Sequence, residues 1–147
     1  MSLIQTKCIE YHENRKICVA SENGKTYTLN NKSNYRIKKV RIDKCILQQQ
    51  GERRCDFLMH ATRDKDEKAY FIELKGGALM DAVQQLYDTI VYLKKEFTSC
   101  EINARIVGKG DTPNLKNSAY YKKLIREISY TKGTIVRATN NALTENI

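Results

Sequence analysis

The chain has 147 residues, 41% hydrophobic and 29% charged, with a single proline. That composition suits one folded domain with one core and excludes a disordered or low-complexity chain. A net charge of +9, from 26 Lys and Arg against 17 Asp and Glu, leaves two readings: a polyanionic partner, most simply nucleic acid, or a basic solvated surface.

Residues 1–35 carry the weakest pattern. Residues 16–20 read as a strand, Asn23-Gly24 as the heart of a tight turn, residues 25–29 as the returning strand, and residues 30–34 as loop. Strand character resumes at Arg36, with Ile37, Val40, Ile42, Ile46 and Leu47 as the apolar positions. Residues 48–53, containing Gly51, form a turn. Residues 54–61 follow as a central strand of low polarity, 63–68 as a charged hairpin tip, and 70–75 as the next strand.

Gly76-Gly77 ends that strand and opens a helix from about Ala78. Leu79, Val83, Leu86, Ile90, Leu93 and Phe97 recur at steps of three and four and make one stripe. Asp81 early in this helix and Lys94-Lys95 late in it suit the helix dipole. Residues 102–107 read as a strand and 108–113 as loop. Ser118 caps a second helix running through about Tyr130, with Tyr121, Leu124, Ile125 and Ile128 inward. Gly133 stops it, residues 134–138 form a last strand, and residues 139–147 are a polar, frayed tail. The order predicts an α/β or α+β fold: a mixed central β-sheet flanked by helices, with an additional N-terminal β region. It forms a single domain with its core at about 36–138.

The five cysteines make no Cys-x-x-Cys pair, and with only two histidines the sequence lacks zinc-site spacing. Cys18, Cys45 and Cys55 lie in apolar runs and read as small buried hydrophobes. A reduced, cytoplasmic compartment is the expectation. No apolar run resembles a signal peptide, and none reaches the roughly 18 residues of a membrane span.

Chemistry concentrates around Arg54-Cys55-Asp56 and Glu73-Leu74-Lys75. Residues two apart in a strand share a face, so Glu73 and Lys75 point together while Ile72 and Leu74 point the other way. If residues 63–66 form a four-residue loop, Asp56 stands opposite Glu73. A six-residue loop sets it opposite Lys75. Both even registers gather the three side chains on one face, whereas an odd loop or a bulge separates them. Two such carboxylates can hold Mg2+, which keeps its other positions for water and phosphate oxygens. A lysine beside them orients the attacking water and stabilises charge in the transition state. The competing reading is an ordinary hairpin with a surface ion pair between Glu73 and Lys75.

At these residues the sequence resembles the PD-(D/E)XK, or restriction-endonuclease-like, nuclease superfamily. Asp56, Glu73-Leu74-Lys75, the helix after them and the strand at 102–107 carry the likeness, over roughly residues 40–107. The resemblance implies a Mg2+-dependent DNA endonuclease hydrolysing phosphodiester bonds, with Mn2+ as substitute metal and a possible homodimer. Asp56 and Glu73 would be metal ligands, with the Leu74 carbonyl as a third. Lys75 would be the catalytic lysine, and Gln85, or else Gln84, the supporting glutamine on the helix. Size and charge look like the Holliday-junction-resolvase branch or a small restriction-type nuclease.

Cys55 stands where the motif often has proline, and the Gln-x-x-x-Tyr of RecB-like exonucleases is absent. The family's first core helix, often bearing a metal-binding Glu, is not legible. Glu10 and Glu13 are the only acidic residues early enough with helix-compatible neighbours. The alternative function is a non-catalytic nucleic-acid-binding module on the same fold.

Other residues carry weaker signals. Arg36, Lys38, Lys39 and Arg41 are either a phosphate contact or a solvated strand edge. Asp43 either supports the site or pairs with Arg41 or Lys44. His60 shares the face of Asp56 and reads first as a packed, hydrogen-bonded residue. Tyr87, Tyr92, Tyr120 and Tyr121 read as helix core or rim before base-stacking platforms.

Overall fold

The computed structural model describes residues 2–46, 48–75, 78–109 and 115–147. In chain order the strands and helices are β1 (Ile9–Glu13), β2 (Ile17–Glu22), β3 (Lys25–Asn30), β4 (Arg36–Arg41), β5 (Phe57–Arg63), β6 (Asp66–Leu74), α1 (Leu79–Leu93), β7 (Glu101–Val107), α2 (Ala119–Ser129), β8 (Ile135–Ala138) and β9 (Ala142–Asn146). A six-stranded mixed sheet runs β1-β4-β5-β6-β7-β8, and a three-stranded sheet runs β2-β3-β9. The large sheet is antiparallel from β1 to β6 and parallel from β6 to β8. Each parallel step is bridged by a helix, as a crossover requires.

Alternation along the strands makes three layers. Leu58, Phe71, Ala104 and Ile106 pack with the apolar stripes of α1 and α2. Phe57, Met59, Ile72 and Leu74 pack with Cys18, Ala20, Tyr27 and Leu29 of the small sheet. Strands β5 and β6 are therefore covered on both faces, which is why they read as nearly continuous apolar runs. At the β2–β3 turn Asn23 and Gly24 both take positive φ, 52° and 75°, the backbone of a twist-matched two-residue hairpin.

Several boundaries differ from the sequence expectation. The β5–β6 hairpin is tighter: Arg63 pairs with Asp66, leaving Asp64-Lys65 as the turn. Charged residues assigned to the tip extend the ladder instead, because they sit at its solvated end. Strand β1 has no apolar alternation to announce it; it is the half-exposed edge of the large sheet, beside β4. The tail is not frayed: β9 pairs in parallel with β3. Ile125 is 41% exposed, while Leu124 and Ile128 are buried. Ser118 does cap α2, its hydroxyl accepting the Tyr121 N–H at 3.1 Å. The expected strand through residue 47 stops at Arg41, and residues 42–46 turn back under Asp56. There Cys45 is no buried hydrophobe but is joined to Cys8 in a disulfide. Leu47, Gly76-Gly77 and residues 110–113 of the expected loop lie outside the described residues.

Gly133 marks a close approach. A Cβ there would lie 1.7 Å from the Ile102 carbonyl oxygen, so β7 and the segment leading into β8 touch backbone to backbone. Gly133→Ala is expected to cost about 3 kcal/mol or more in urea unfolding, because backbone rather than a flexible side chain must move. Among the described residues no helix is long and apolar enough to cross a membrane.

Candidate active site

Strands β5 and β6 pair Phe57 with Ile72, and the ladder ends there. Asp56 stands just outside it, at a bend, so strand alternation does not set its side. It lies near Glu22 of the β2–β3 hairpin, whereas Glu73 meets Gln85 of α1, and the two carboxyls come together at one cavity. The Asp56 N–H donates to the Ile72 carbonyl at 3.1 Å. Its carboxylate folds forward, and Oδ2 accepts the Leu74 N–H at 2.8 Å. The Lys75 N–H donates to the Val107 carbonyl at 2.9 Å, so the chain stays tied to β7 past the end of β6.

A cavity of about 440 Å³ opens here, walled by Asp56, Glu73, Asp43, Lys75 and, from the β2–β3 hairpin, Glu22 and Lys25. Both acids are deep in its floor, Asp56 7% and Glu73 2% exposed. Burial pushes Glu73 up to about 9, reinforced by Asp56 beside it and opposed by Lys75. Burial likewise pushes Asp56 up to about 7, with the Leu74 N–H opposing and the Glu22 carboxyl adding to the rise. As an ionised carboxylate Glu73 leaves Oε1 buried with no hydrogen-bond partner, a costly arrangement that normally finds a compensating group; a proton on Glu73 lets it hydrogen-bond to Asp56.

Helix α1 supplies the rest. The Gln85 amide nitrogen, turned toward Glu73, donates to its Oε2 at 3.0 Å and to the Asp81 carbonyl at 3.1 Å. Turned the other way, the amide oxygen accepts from Lys75 Nζ at 3.4 Å, but then two acceptors face each other. An ionised Glu73 therefore selects the first orientation. Lys75 Nζ lies 3.7 Å from Asp81 Oδ2, held at the mouth of the cavity. Thr89 Oγ1 accepts the Cys55 N–H at 2.8 Å, and Asp88 Oδ2 accepts the Arg53 N–H at 3.1 Å. These bonds strap the segment before Asp56 to the helix. A proline at position 55 could not donate the first of them, which gives Cys55 a physical reason at its position.

The structure thus brings together Asp56, Glu73, Lys75 and Gln85, with Leu74 in the cavity wall. Asp43 also borders the cavity and its charge raises both buried acids. The expected partner Arg41 instead lies 3.8 Å from Glu10. Glu22 escaped sequence reasoning, because only the packing of the small sheet brings the β2–β3 turn over the motif. Glu10 and Glu13 lie on strand β1, not on a helix.

The four basic residues of β4 are not gathered on one surface. Alternation sets Arg36 and Lys38 on one side of the strand and Lys39 and Arg41 on the other. Lys39 pairs with Glu10 at 2.8 Å, and Arg36 donates to the His12 carbonyl at 2.8 Å. Tyr87 and Tyr120 pack edge to face, with centroids 5.8 Å apart, between the two helices. Comparison with protein-family models, characterised proteins and solved structures returns no match to this chain.

Proposed function

We propose that the chain is a metal-dependent nuclease that hydrolyses phosphodiester bonds in DNA. One observation carries the reading: Glu73 buries a carboxylate oxygen without a partner, beside a second buried carboxylate, at the floor of an open cavity with a lysine at its mouth. Nothing in a merely structural hairpin calls for that cost, and a bound cation would offset it. The succession β4-β5-β6-α1-β7, antiparallel then parallel, supports the likeness to the PD-(D/E)XK superfamily.

Asp56 and Glu73 would hold Mg2+, which when bound supplies a Lewis acid that acidifies water and neutralises charge building on phosphorus. The Leu74 N–H fixes the Asp56 carboxylate, and Gln85 fixes the Glu73 carboxylate. Lys75 keeps a positive charge over the cavity, orients the attacking water and stabilises the developing phosphorane charge. Glu22 and Asp43 add negative charge at the rim, which strengthens cation capture. The net charge of +9 draws the phosphate backbone in. A cytoplasmic setting suits a DNA substrate; there the Cys8–Cys45 pair would stand reduced.

Cleavage of supercoiled plasmid in Mg2+ or Mn2+, against a chelator control, tests the reading. Glu73→Gln and Lys75→Ala are each expected to lose roughly 10²–10³-fold or more in rate, the size of losing one preorganised electrostatic group. Circular dichroism checks that both remain folded. Undiminished cleavage in both variants would sink the nuclease. DNA binding that falls steeply with salt, without cleavage by the wild type, would leave a binding module.

A further inference from the structure

We propose that His60, Glu67 and Cys100 form a second cation site, for a borderline transition metal of the Zn2+ class. Two neighbouring strands of the large sheet and the residue leading into a third contribute one ligand each. His60 stands on β5, and Glu67 lies on the same face of β6. The parallel register that pairs Lys68 with Glu101 sets Glu67 against Cys100, one residue before β7. The ligand atoms of the three side chains all lie within 4.8 Å of one another, and His60 Nε2 is 3.3 Å from Glu67 Oε2. Metal–ligand bonds of about 2.0–2.3 Å in a tetrahedron put ligand atoms roughly 3.5 Å apart. The group needs only rotamer adjustment of about an ångström to close.

The donor set selects the metal. Imidazole, thiolate and carboxylate suit Zn2+ and Co2+, whereas the paired carboxylates of the first site suit Mg2+. The two sites are separate: Asp56 and His60 are four residues apart on one extended segment, about 13 Å.

The surroundings are those of a built site. The His60 ring is held edge-on against Phe97, centroids 4.9 Å apart. Cys100 is 4% exposed and forms part of the wall of a cavity of about 580 Å³. Glu67, with its side chain 39% exposed, gives the ion a route in. Lys38, opposite His60 on β4, opposes the cation, while Glu101 and Asp66 near Cys100 favour it. Cysteine binds a metal as the thiolate. Binding then forms the metal–sulfur bond and releases one proton to solvent. Three protein ligands leave one position for water. A metal there would pin the α1–β7 connection to the β5–β6 hairpin. Spacing along the chain hides such a site, because its ligands lie 7 and 33 residues apart and only strand order joins them.

The test is titration of the full chain with Co2+ in oxygen-free buffer, then with Zn2+. One equivalent of Co2+ is expected to give a thiolate charge-transfer band that one equivalent of Zn2+ abolishes. Cys100→Ser is expected to lose the band, and His60→Gln to weaken Zn2+ binding by more than the roughly 10–100-fold that a change behind the ligands already causes. Cys18→Ser and Glu73→Gln should keep the band, so the outcome does not depend on the nuclease reading. If Cys100→Ser does not fold, the wild-type band and its fate in His60→Gln decide. No thiolate band in the wild type, or wild-type Zn2+ affinity in the His60 variant, overturns the site.

Discussion

At pH 8 and without metal, Glu73→Gln is expected to be more stable than the wild type by about 1–3 kcal/mol, the penalty of an unsatisfied buried polar group, and to have lost its Mg2+ affinity. The wild-type carboxyl is 2% exposed with one oxygen unpartnered. An amide of the same shape keeps the packing and needs no proton taken up on folding. The pH dependence follows from the direction of the shift. Glu73 rises from its ordinary 4.5 to about 9 in the fold, so the folded chain keeps a proton that the unfolded chain releases. Below about 4.5 both states hold it and the group costs nothing. As pH rises toward 9 the metal-free wild type loses stability, and the glutamine variant does not share that loss. Mg2+ should flatten the wild-type slope, because a bound cation stabilises the ionised pair and displaces its proton; Mg2+ affinity should therefore rise with pH. Urea unfolding at pH 5, 7 and 9, with chelator and with Mg2+, reads both effects. A variant less stable than the wild type at pH 8 in chelator would mean that Glu73 is a structural acid with partners of its own.

The parts of this arrangement that could be read from the sequence are those set by local periodicity. The α1 stripe, the Asn23-Gly24 hairpin and the shared direction of Glu73 and Lys75 each follow from a period of 3.6 or 2 and a turn residue, whereas Asp56 joins them from a bend ahead of β5 that no period predicts. Gln85 and Gln84 both stay open in the sequence, and contact with Glu73 selects Gln85. What stayed hidden depends on pairings distant in sequence. Strand β9 is polar and gains its order by pairing with β3, 116 residues away at Asn30 and Asn146, and through Glu145, which bonds Tyr27 and Arg105. Glu22 reaches Asp56 only because the small sheet docks on the large one. The basic run in β4 looked like one patch because charge counting ignores strand alternation, and β1 on its flank makes β4 an interior strand. Cys45 sat in an apolar run, and only the turn at residues 42–46 brings it to Cys8.

Reducing the Cys8–Cys45 bridge is expected to lower stability by about 2–4 kcal/mol while leaving Mg2+ affinity within about twofold. The bridge spans 37 residues. Loop-closure entropy for a loop of that length gives about 4 kcal/mol as an upper figure, a large share of the roughly 5–15 kcal/mol of a typical domain. Its effect on the site would run through the turn it anchors, which holds Asp56: the N–H groups of Ile42 and Asp43 donate to the Asp56 carbonyl at 2.9 and 3.4 Å. That turn, however, has bonds of its own. The Cys45 and Ile46 N–H groups both donate to the Ile42 carbonyl, at 3.1 and 2.9 Å. The Asp56 carboxylate, moreover, is fixed by Leu74, on a different strand. The bridge therefore acts mainly on the unfolded chain, and the site should keep its geometry, with coupling no larger than ordinary non-additivity. Urea unfolding with and without reductant gives the first quantity, and Mg2+ calorimetry on Cys8→Ser/Cys45→Ser gives the second. A tenfold loss of Mg2+ affinity in that variant would show that the bridge, and with it the redox state of the compartment, sets the position of Asp56.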